Sequence, residues 1–217
     1  MEYWHHLNND RWVVEAVFPG LREGYFVEAG ACGGKHQSAT YVLENELAWK
    51  GICVEPAQEY ALLARTRRCA IDDRCLWDHS GDSVSFTAFP ADGARSGVTA
   101  VNKNLAEQRL AGAAELASQK LTITLEDLLE QHRAPATVHY ICLDLEGAER
   151  RVLEAFDFIG GAHTVLALSV EGDHCDDLLA AAGYRRATNP FTQERYEHYF
   201  LHPQLARERP GLCRADD

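Results

Sequence analysis

Short apolar runs alternate along the chain with stretches whose apolar residues recur at helical spacing. The apolar runs predict strands at residues 25–28, 51–54, 74–77, 84–89, 138–143 and 165–170. Helical spacing predicts helices at residues 38–49, 58–67, 125–132, 148–156 and 175–182, with Thr124 as an N-cap. Residues 184–187 and 196–201 predict a closing antiparallel pair. Strands that alternate with helices indicate an α/β domain with a mostly parallel sheet.

Three further segments depart from this alternation. Residues 1–20 carry apolar positions at helical spacing and stop at Pro19 and Gly20, which predicts a leading helix. Residues 90–119 predict a loop at 90–97 and a helix at 99–117. Such an excursion is typical of a lid or a substrate-facing insertion, and an additional packing helix is an equal alternative. Residues 203–217 predict a flexible tail. Without repeats or a linker, we expect a single domain over residues 1–217.

Charge and cysteine content narrow the function class. The chain has 33 acidic residues and 21 lysines and arginines, which gives a formal net charge of −12. This balance argues against a nucleic-acid partner, which requires many phosphate-neutralising contacts. The seven cysteines lack metal-binding spacing and predict reduced thiols in a cytoplasmic protein. No apolar run reaches membrane-spanning length, so we expect no membrane association. The sequence leaves open whether the protein forms a homo-oligomer. Tyr3, Trp4 and Trp12 could supply either a subunit interface or a lid over the site.

Four predicted parallel strands are followed by, or end in, an acidic residue. These residues are Glu28, Glu55, Asp144 and Glu171. In an open α/β sheet the carboxyl ends of the strands meet at one edge, where ligands bind. Any one of these acids alone is explained equally well as a solvated strand end or a helix cap as it is by a ligand site. Four together indicate a ligand site, because uncompensated carboxylates in this position are costly.

The turn after the first strand favours one class of nucleoside ligand. It reads Glu28-Ala29-Gly30-Ala31-Cys32-Gly33 and lacks the first glycine of the dinucleotide fingerprint. A carboxylate at Glu28 would repel a pyrophosphate, whereas it suits a ligand with a positively charged amino group. S-adenosylmethionine has that amino group and no phosphate. Glu55, at the end of the next strand, suits the two ribose hydroxyls of the same ligand.

The chain resembles the FkbM-type methyltransferases. The resemblance rests on residues 24–33, 38–56, 124–129 and 140–149, which include the blocks WKGICVEP and DLEGAE, and runs in order over residues 24–172. It implies the Rossmann-like class I methyltransferase fold, a mostly parallel seven-stranded sheet with an antiparallel C-terminal strand and helices on both faces. It also implies S-adenosylmethionine as the methyl donor and a hydroxyl oxygen as the acceptor. The acceptor would belong to a small molecule such as a sugar, a polyketide or another secondary metabolite.

The resemblance also implies roles for individual residues. The cofactor loop would consist of Glu28, Gly30, Ala31 and Gly33, with Glu28 near the methionine amino group. Ser38 would donate to the methionine carboxylate, and Glu55 would bind the ribose. Trp77, which departs from the family pattern, would stack on adenine. Asp78 would accept from the adenine amino group, and Asp144 would lie beside the sulfonium and the acceptor.

A hydroxyl acceptor must lose its proton, either to a general base or through a metal ion. Asp144 is the first candidate base, followed by Glu171 and His174. Asp144, Glu146 and Glu171 would jointly suit Mg²⁺, which prefers oxygen ligands. Glu146 fits equally well as a charge near a helix N-terminus, and His174 as a helix cap. Two alternatives stay open: methylation of a nitrogen or a peptide, and a non-catalytic cofactor-binding module.

Overall fold

A computed structural model describes residues 1–91, 93–193 and 196–214. Among these residues, eleven strands form two sheets. In chain order the strands are β1 Tyr25–Ala29, β2 Lys50–Val54, β3 Ala70–Asp72, β4 Cys75–Leu76, β5 Ser83–Ala88, β6 Gly97–Val98, β7 Leu116–Ile123, β8 Thr137–Leu143, β9 Thr164–Glu171, β10 Arg185–Ala187 and β11 Glu197–Leu201. The predicted α/β fold with a mostly parallel sheet is confirmed.

The larger sheet has the order β10-β11-β9-β8-β1-β2-β3. β11 runs antiparallel to both of its neighbours, and the pairs β9–β8, β8–β1, β1–β2 and β2–β3 are parallel. The central strands β1 and β8 are nearly continuous in apolar residues because both of their faces are covered. Their carboxyl ends therefore open on the same edge as those of β2 and β9. This edge carries the acids that the sequence placed at strand ends.

Helices cover both faces of the larger sheet. They are α1 Asn9–Arg11, which continues as a π-helix at Trp12–Val17, then α2 Tyr41–Leu47, α3 Tyr60–Thr66, α5 Leu125–Gln131, α6 Glu149–Glu154, α7 Asp176–Ala181 and α8 Pro203–Glu208. The remaining helix, α4 Leu105–Leu110, lies in the 90–119 excursion and has no buried residue. Neighbouring residues of β1 illustrate the two layers: Val27 packs with the apolar residues of α5, α6 and α7, whereas Phe26 packs with those of α2 and α8. Within the described chain, every helix is too short or too polar to cross a lipid bilayer.

The predicted third strand at residues 74–77 is wrong in position. The strand that extends the larger sheet is β3, and residues 75–76 instead form β4, which pairs with β7 in the smaller sheet. The sequence pattern did not predict β3 because this strand is short and ends in a polar residue, Asp72. That carboxylate is buried and accepts hydrogen bonds from the guanidinium of Arg74 at 2.6 and 2.9 Å.

The predicted helix at residues 99–117 is also wrong over most of its length. Only α4 is helical, and it ends before Gly112, whose φ of +71° leaves the helical region. Leu116 then begins β7, which pairs with β5 over six residue pairs in an antiparallel ladder. The Ala/Leu-rich composition favoured a helix, whereas the hydrogen-bonding edge offered by β5 determines a strand.

The two ends of the chain also differ from the prediction. The predicted leading helix is the short α1 and its π-helical continuation, in which Phe18 N donates to Val13 O at 2.9 Å. In the predicted tail, residues 203–208 instead form α8, which buries Leu205 and Ala206 against the sheet. Residues 215–217 lie outside the described residues. Thr124 is the N-cap of α5 as predicted, since its hydroxyl accepts from Asp127 N at 3.1 Å.

Candidate active site

A cavity opens at the carboxyl edge of β1, β2 and β8, with about 790 Å³ of empty space, part of it open to solvent. The wall combines strand ends with segments from elsewhere in the chain: Gly30, Ala31, Cys32, Val54, Glu55, Pro56, Cys75, Leu76, Asp144, Leu145 and Ala148, joined by Phe86, residues 93–94 and 96–98, His5, His6, His36 and Gln37. Of the predicted site residues, Gly30, Ala31, Glu55 and Asp144 line it.

The glycine turn lies against β2 and β8. Gly30 has a φ of +82°, and a Cβ at this position would approach the Asp144 carbonyl oxygen to 2.1 Å. Only glycine therefore permits this contact. Gly30 N and Ala31 N both donate to Val54 O at 3.1 Å, so the turn is held next to the end of β2. The predicted loop residue Gly33 does not line the cavity but faces Leu62 of α3.

Glu55 is buried in the cavity wall and its orientation is determined by backbone donors. Cys32 N donates to Oε2 at 2.7 Å, and Ala57 N donates to Oε1 at 2.8 Å. Burial raises the pKa of Glu55 to about 7, although the two N–H groups act in the opposite direction. Cys32, with a φ of +45°, is a non-glycine residue held in the left-handed region by this contact. Burial also raises the pKa of the Cys32 thiol, so Cys32 is unsuited to be a nucleophile.

Glu28 and Ser38 lie outside the cavity wall. Glu28 is buried and accepts from Ser38 Oγ at 2.8 Å, Ala39 N at 2.6 Å and Thr40 Oγ1 at 2.5 Å. The guanidinium of Arg67 forms an ion pair with it at 3.1 Å. The polar atoms of both residues engage this internal network, and their ligand contacts stay a prediction.

Arg67 is the centre of that network. Its side chain is fully buried and also forms an ion pair with Glu44 of α2 at 2.6 Å. It donates to Gly34 O and Ser38 Oγ at 3.1 Å and to Thr40 Oγ1 at 2.8 Å. Arg67 thus connects the end of α3 to the glycine turn and to α2. The sequence contained no signal for this role, since Arg67 lies in a run with Arg65 and Arg68 that resembles an ordinary surface cluster.

Asp144 lies on the opposite side of the glycine turn in a different environment. Its Oδ1 is buried and accepts no hydrogen bond within the described chain. Burial, and next the charges of Glu171 and Glu146, raise the pKa of Asp144 well above its usual range. Burial and Glu171 likewise raise the pKa of Glu146 to about 7. The carboxylates at the end of β8 and β9 therefore share too few hydrogen-bond donors to be fully stabilised in the charged form.

The cation in this cluster comes from the 90–119 excursion. Lys103 Nζ forms ion pairs with Glu171 and, at 3.4 Å, with Glu146. Its backbone N donates to Glu146 O at 3.1 Å, and Asn104 Nδ2 donates to Glu146 Oε2. Gly147, at a φ of +114°, allows this approach, since a Cβ would meet Val101 O at 2.4 Å. A lid or substrate-facing insertion and an additional packing helix were equal predictions for this excursion, and Lys103 could not be identified from the sequence.

His174 contacts the cluster indirectly. Its Nε2 lies 3.1 Å from Oε2 of Glu149, which is fully buried and raises the pKa of His174. Glu149 also accepts from Leu145 N at 2.7 Å and from Gly147 N at 3.1 Å. His174 does not line the cavity, so the structure places this predicted catalytic residue behind Glu149.

The two predicted adenine contacts are also displaced from the cavity. Trp77 packs in the small apolar cluster with Phe86 and Val98, and the Arg151 guanidinium lies 4.7 Å from its ring centroid. Asp78 forms ion pairs with Arg151 at 2.5 Å and with His79 at 3.0 Å. The apolar part of the cavity wall instead contains Phe86 and Val98. The alternating pattern at residues 84–89 was a signal for Phe86, but not for its position.

The acidic cluster does not fit the predicted Mg²⁺ site. Asp144, Glu149 and Glu171 each offer an oxygen within 4.8 Å of the others, with Glu149 in place of Glu146. However, Lys103 already neutralises Glu171, and Glu149 is saturated by backbone and His174 donors. Mg²⁺ requires an octahedral shell of free oxygen ligands. We derive no step through a metal ion.

Comparison with known proteins identifies the family. The profile of the methyltransferase FkbM domain matches residues 28–186. The crystal structure of Methyltransferase FkbM from Methylobacillus flagellatus KT has a similar fold, with a TM-score of 0.52 and 13% sequence identity over 89% of this chain. The aligned part is 48% of that structure, so this chain spans about half its length. No curated protein matches the sequence. The chain belongs to the FkbM methyltransferase family.

Proposed function

We propose that the protein is an S-adenosylmethionine-dependent methyltransferase. The observation that carries the proposal is the placement of Glu55 and Asp144 on either side of the glycine turn, in the wall of one cavity. Glu55 suits the ribose hydroxyls, because its orientation is already determined by two backbone N–H groups. Asp144 suits the positively charged amino group and sulfonium of the donor. The residues present therefore fit this cofactor, which supplies the electrophilic methyl group when it is bound.

The acceptor in this proposal is a hydroxyl oxygen of a small molecule. Methyl transfer requires the oxygen to approach the methyl group in line, and much of the rate comes from this positioning. Asp144 has a raised pKa and a buried oxygen without a donor, so it is a stronger base than an ordinary carboxylate. It can accept the hydroxyl proton, while the neighbouring Glu171 is paired with Lys103. Seven free cysteines fit the reducing cytoplasm in which we propose that the reaction occurs.

Calorimetric titration with S-adenosylmethionine tests the proposal. We expect binding by the unaltered protein and binding at least about tenfold weaker for Glu55→Gln, which loses a charged acceptor for two ribose donors. Glu208→Gln, an exposed acid on α8, is the matched control and should bind normally. Because we derive no metal site, EDTA should leave the affinity unchanged. Absence of heat with the unaltered protein would refute the proposal.

A second measurement separates an enzyme from a binding module. Methyl-labelled S-adenosylmethionine is incubated with mixtures of hydroxylated small molecules, amines and peptides, and transfer of the label to each class is measured. We expect transfer that Asp144→Asn lowers by about a hundredfold or more, the typical contribution of a general base. Binding of the donor without transfer to any hydroxyl, amine or peptide in the mixtures would favour a non-catalytic cofactor-binding module.

A further inference from the structure

The proposed function leaves part of the cavity wall without a role. The two acidic residues of the wall, Glu55 and Asp144, already have roles, and both would repel a ligand carboxylate. The donor has such a carboxylate on its amino-acid group, and Ser38, which was expected to bind it, is held in the Arg67 network. The carboxylate must therefore meet a different part of the wall.

The remaining polar part of the wall consists mainly of imidazole and amide groups. Two segments supply them: the N-terminal strap, defined as residues 3–7, and the 35–37 turn. His6 Nε2 lies 3.3 Å from the Tyr196 hydroxyl, whereas the side chains of His36 and Gln37 have no hydrogen-bond partner within residues 1–91, 93–193 and 196–214. Gln37 has a φ of +62°, a left-handed conformation that is uncommon for this residue type.

His5 presents a donor whose tautomer is determined by the strap. Leu7 N donates to His5 Nδ1 at 3.3 Å, so Nδ1 is an acceptor and the proton resides on Nε2. Burial lowers the pKa of His5 to about 3, which keeps the ring neutral with one N–H. The His6 ring lies 4.9 Å from the His5 ring and supports its orientation.

The strap is anchored to the body of the protein. Asp10 of α1 is fully buried, and its Oδ2 accepts from Trp4 N at 2.5 Å and from His5 N at 3.3 Å. The Trp4 ring covers the ammonium of Lys35 at 4.2 Å, so the strap and the 35–37 turn contact each other. Lys35 forms no ion pair with an acid among the described residues, and its ammonium also lies 5.3 Å from the Tyr41 ring centroid.

We propose that the N-terminal strap and the 35–37 turn bind the carboxylate of the amino-acid group of the donor, with His5 and His36 as the hydrogen-bond donors. This inference rests on the proposed function and adds a residue, His5, that lies outside the matched family domain. It also makes the strap part of the cofactor site rather than a separate cover.

Two ligands that differ in the amino-acid group test the inference. S-adenosylhomocysteine has the carboxylate, and 5′-methylthioadenosine has the same adenosine without it. We expect His5→Phe and His36→Phe to weaken binding of S-adenosylhomocysteine by about tenfold each, since each loses a hydrogen bond to a charged group. Binding of 5′-methylthioadenosine should change less than about twofold. His79→Phe, an exposed histidine outside the cavity, is the matched control.

The outcomes separate this inference from the proposed function. A loss confined to S-adenosylhomocysteine in either variant supports the assignment of that residue. No loss, or an equal loss for both ligands in both variants, would overturn the inference while the donor site stands. Absence of binding of both ligands to the unaltered protein would overturn the proposed function itself. Thermal unfolding verifies that His5→Phe is folded, and the exposed His36 supplies the decisive variant if it is not.

Discussion

Two groups of acids at the same edge of the sheet have opposite environments. Glu28, at the end of β1, accepts hydrogen bonds from two hydroxyls and a backbone N–H and pairs with a buried arginine. Asp144, which follows the adjacent strand β8, has a buried oxygen without a donor and acidic neighbours. Both acids look alike in the sequence. Glu28 therefore stabilises the fold because donors surround it, whereas Asp144 is available for chemistry because its Oδ1 has no donor within the described chain.

The largest expected effect comes from removing the cation of the Glu28 network. Arg67→Met leaves the buried carboxylates of Glu28 and Glu44 without their partner, and we expect the free energy of unfolding to fall by about 3–5 kcal/mol. Urea denaturation measures this change. Arg150→Met is the control, because Arg150 forms its ion pairs with Glu154 and Asp177 at the surface and should matter little. Equal effects of the two variants would contradict the claim that the buried Glu28 network stabilises the fold more than surface ion pairs do.

A smaller effect distinguishes the two acids directly. Glu28→Gln weakens a satisfied network, and we expect it to lower the free energy of unfolding by about 3 kcal/mol. Asp144→Asn removes a carboxylate whose charge is opposed by burial and by Glu171, so we expect the free energy of unfolding to rise at neutral pH. Urea denaturation of the two variants side by side measures both values. Destabilisation by Asp144→Asn as large as that by Glu28→Gln would remove the distinction.

The smallest effect is a dependence of stability on pH. Burial raises the pKa of Glu55, Glu146 and Glu197 from 4.5 to about 7 in the folded protein. Between these values the folded state binds more protons than the unfolded state, so the free energy of unfolding falls as the pH rises. His174, whose pKa Glu149 raises, acts in the same direction as the pH passes above 6.5. The lowered pKa of His5 opposes this trend below about pH 6.5 but is one group against three carboxyls, and the lowered pKa of Asp72 affects stability only at more acidic pH.

Urea midpoints measured from about pH 5 to about pH 8 should therefore decrease and then level off. Glu146→Gln should reduce the slope by removing one of the contributing carboxyls, while the exposed Glu208→Gln should not. A midpoint that rises with pH across this range would mean that the acids at this edge are stabilised as charged groups. In that case the Asp144 side of the edge would resemble the Glu28 side.

The sequence was sufficient for the parts of the site that follow from the parallel sheet. Strand ends meet at one edge, so Glu55 and Asp144 could be assigned to one cavity before the structure was known. Lys103 and Phe86 could not, because their positions depend on the pairing of β5 with β7, two strands far apart in the chain. His5 could not either, since it is brought to the cavity by the side chain of Asp10.

The internal hydrogen-bond network around Glu28 could not be predicted from the sequence either. Its predicted role assumed that a strand-end carboxylate is free to meet a ligand, and the charge argument against a pyrophosphate depended on that freedom. The partner that changes this is Arg67, which comes from the end of α3 and cannot be distinguished in sequence from Arg65 and Arg68. Buried ion pairs between distant segments leave no local pattern, and they decide which of several similar acids is available.

The Arg67 network also changes how loss of function in a relative of this chain should be diagnosed. Because Glu28 and Arg67 form a buried ion pair, we expect a chain that no longer bound a methyl donor to keep both residues for stability. Retention of the acid at the end of the first strand therefore carries no information on catalysis, although it belongs to the segment by which such domains are recognised. Glu55 also accepts two backbone N–H groups, whereas Asp144 Oδ1 has no hydrogen-bond partner within the described chain. Loss of Asp144 is therefore the clearest sign of a degenerate site.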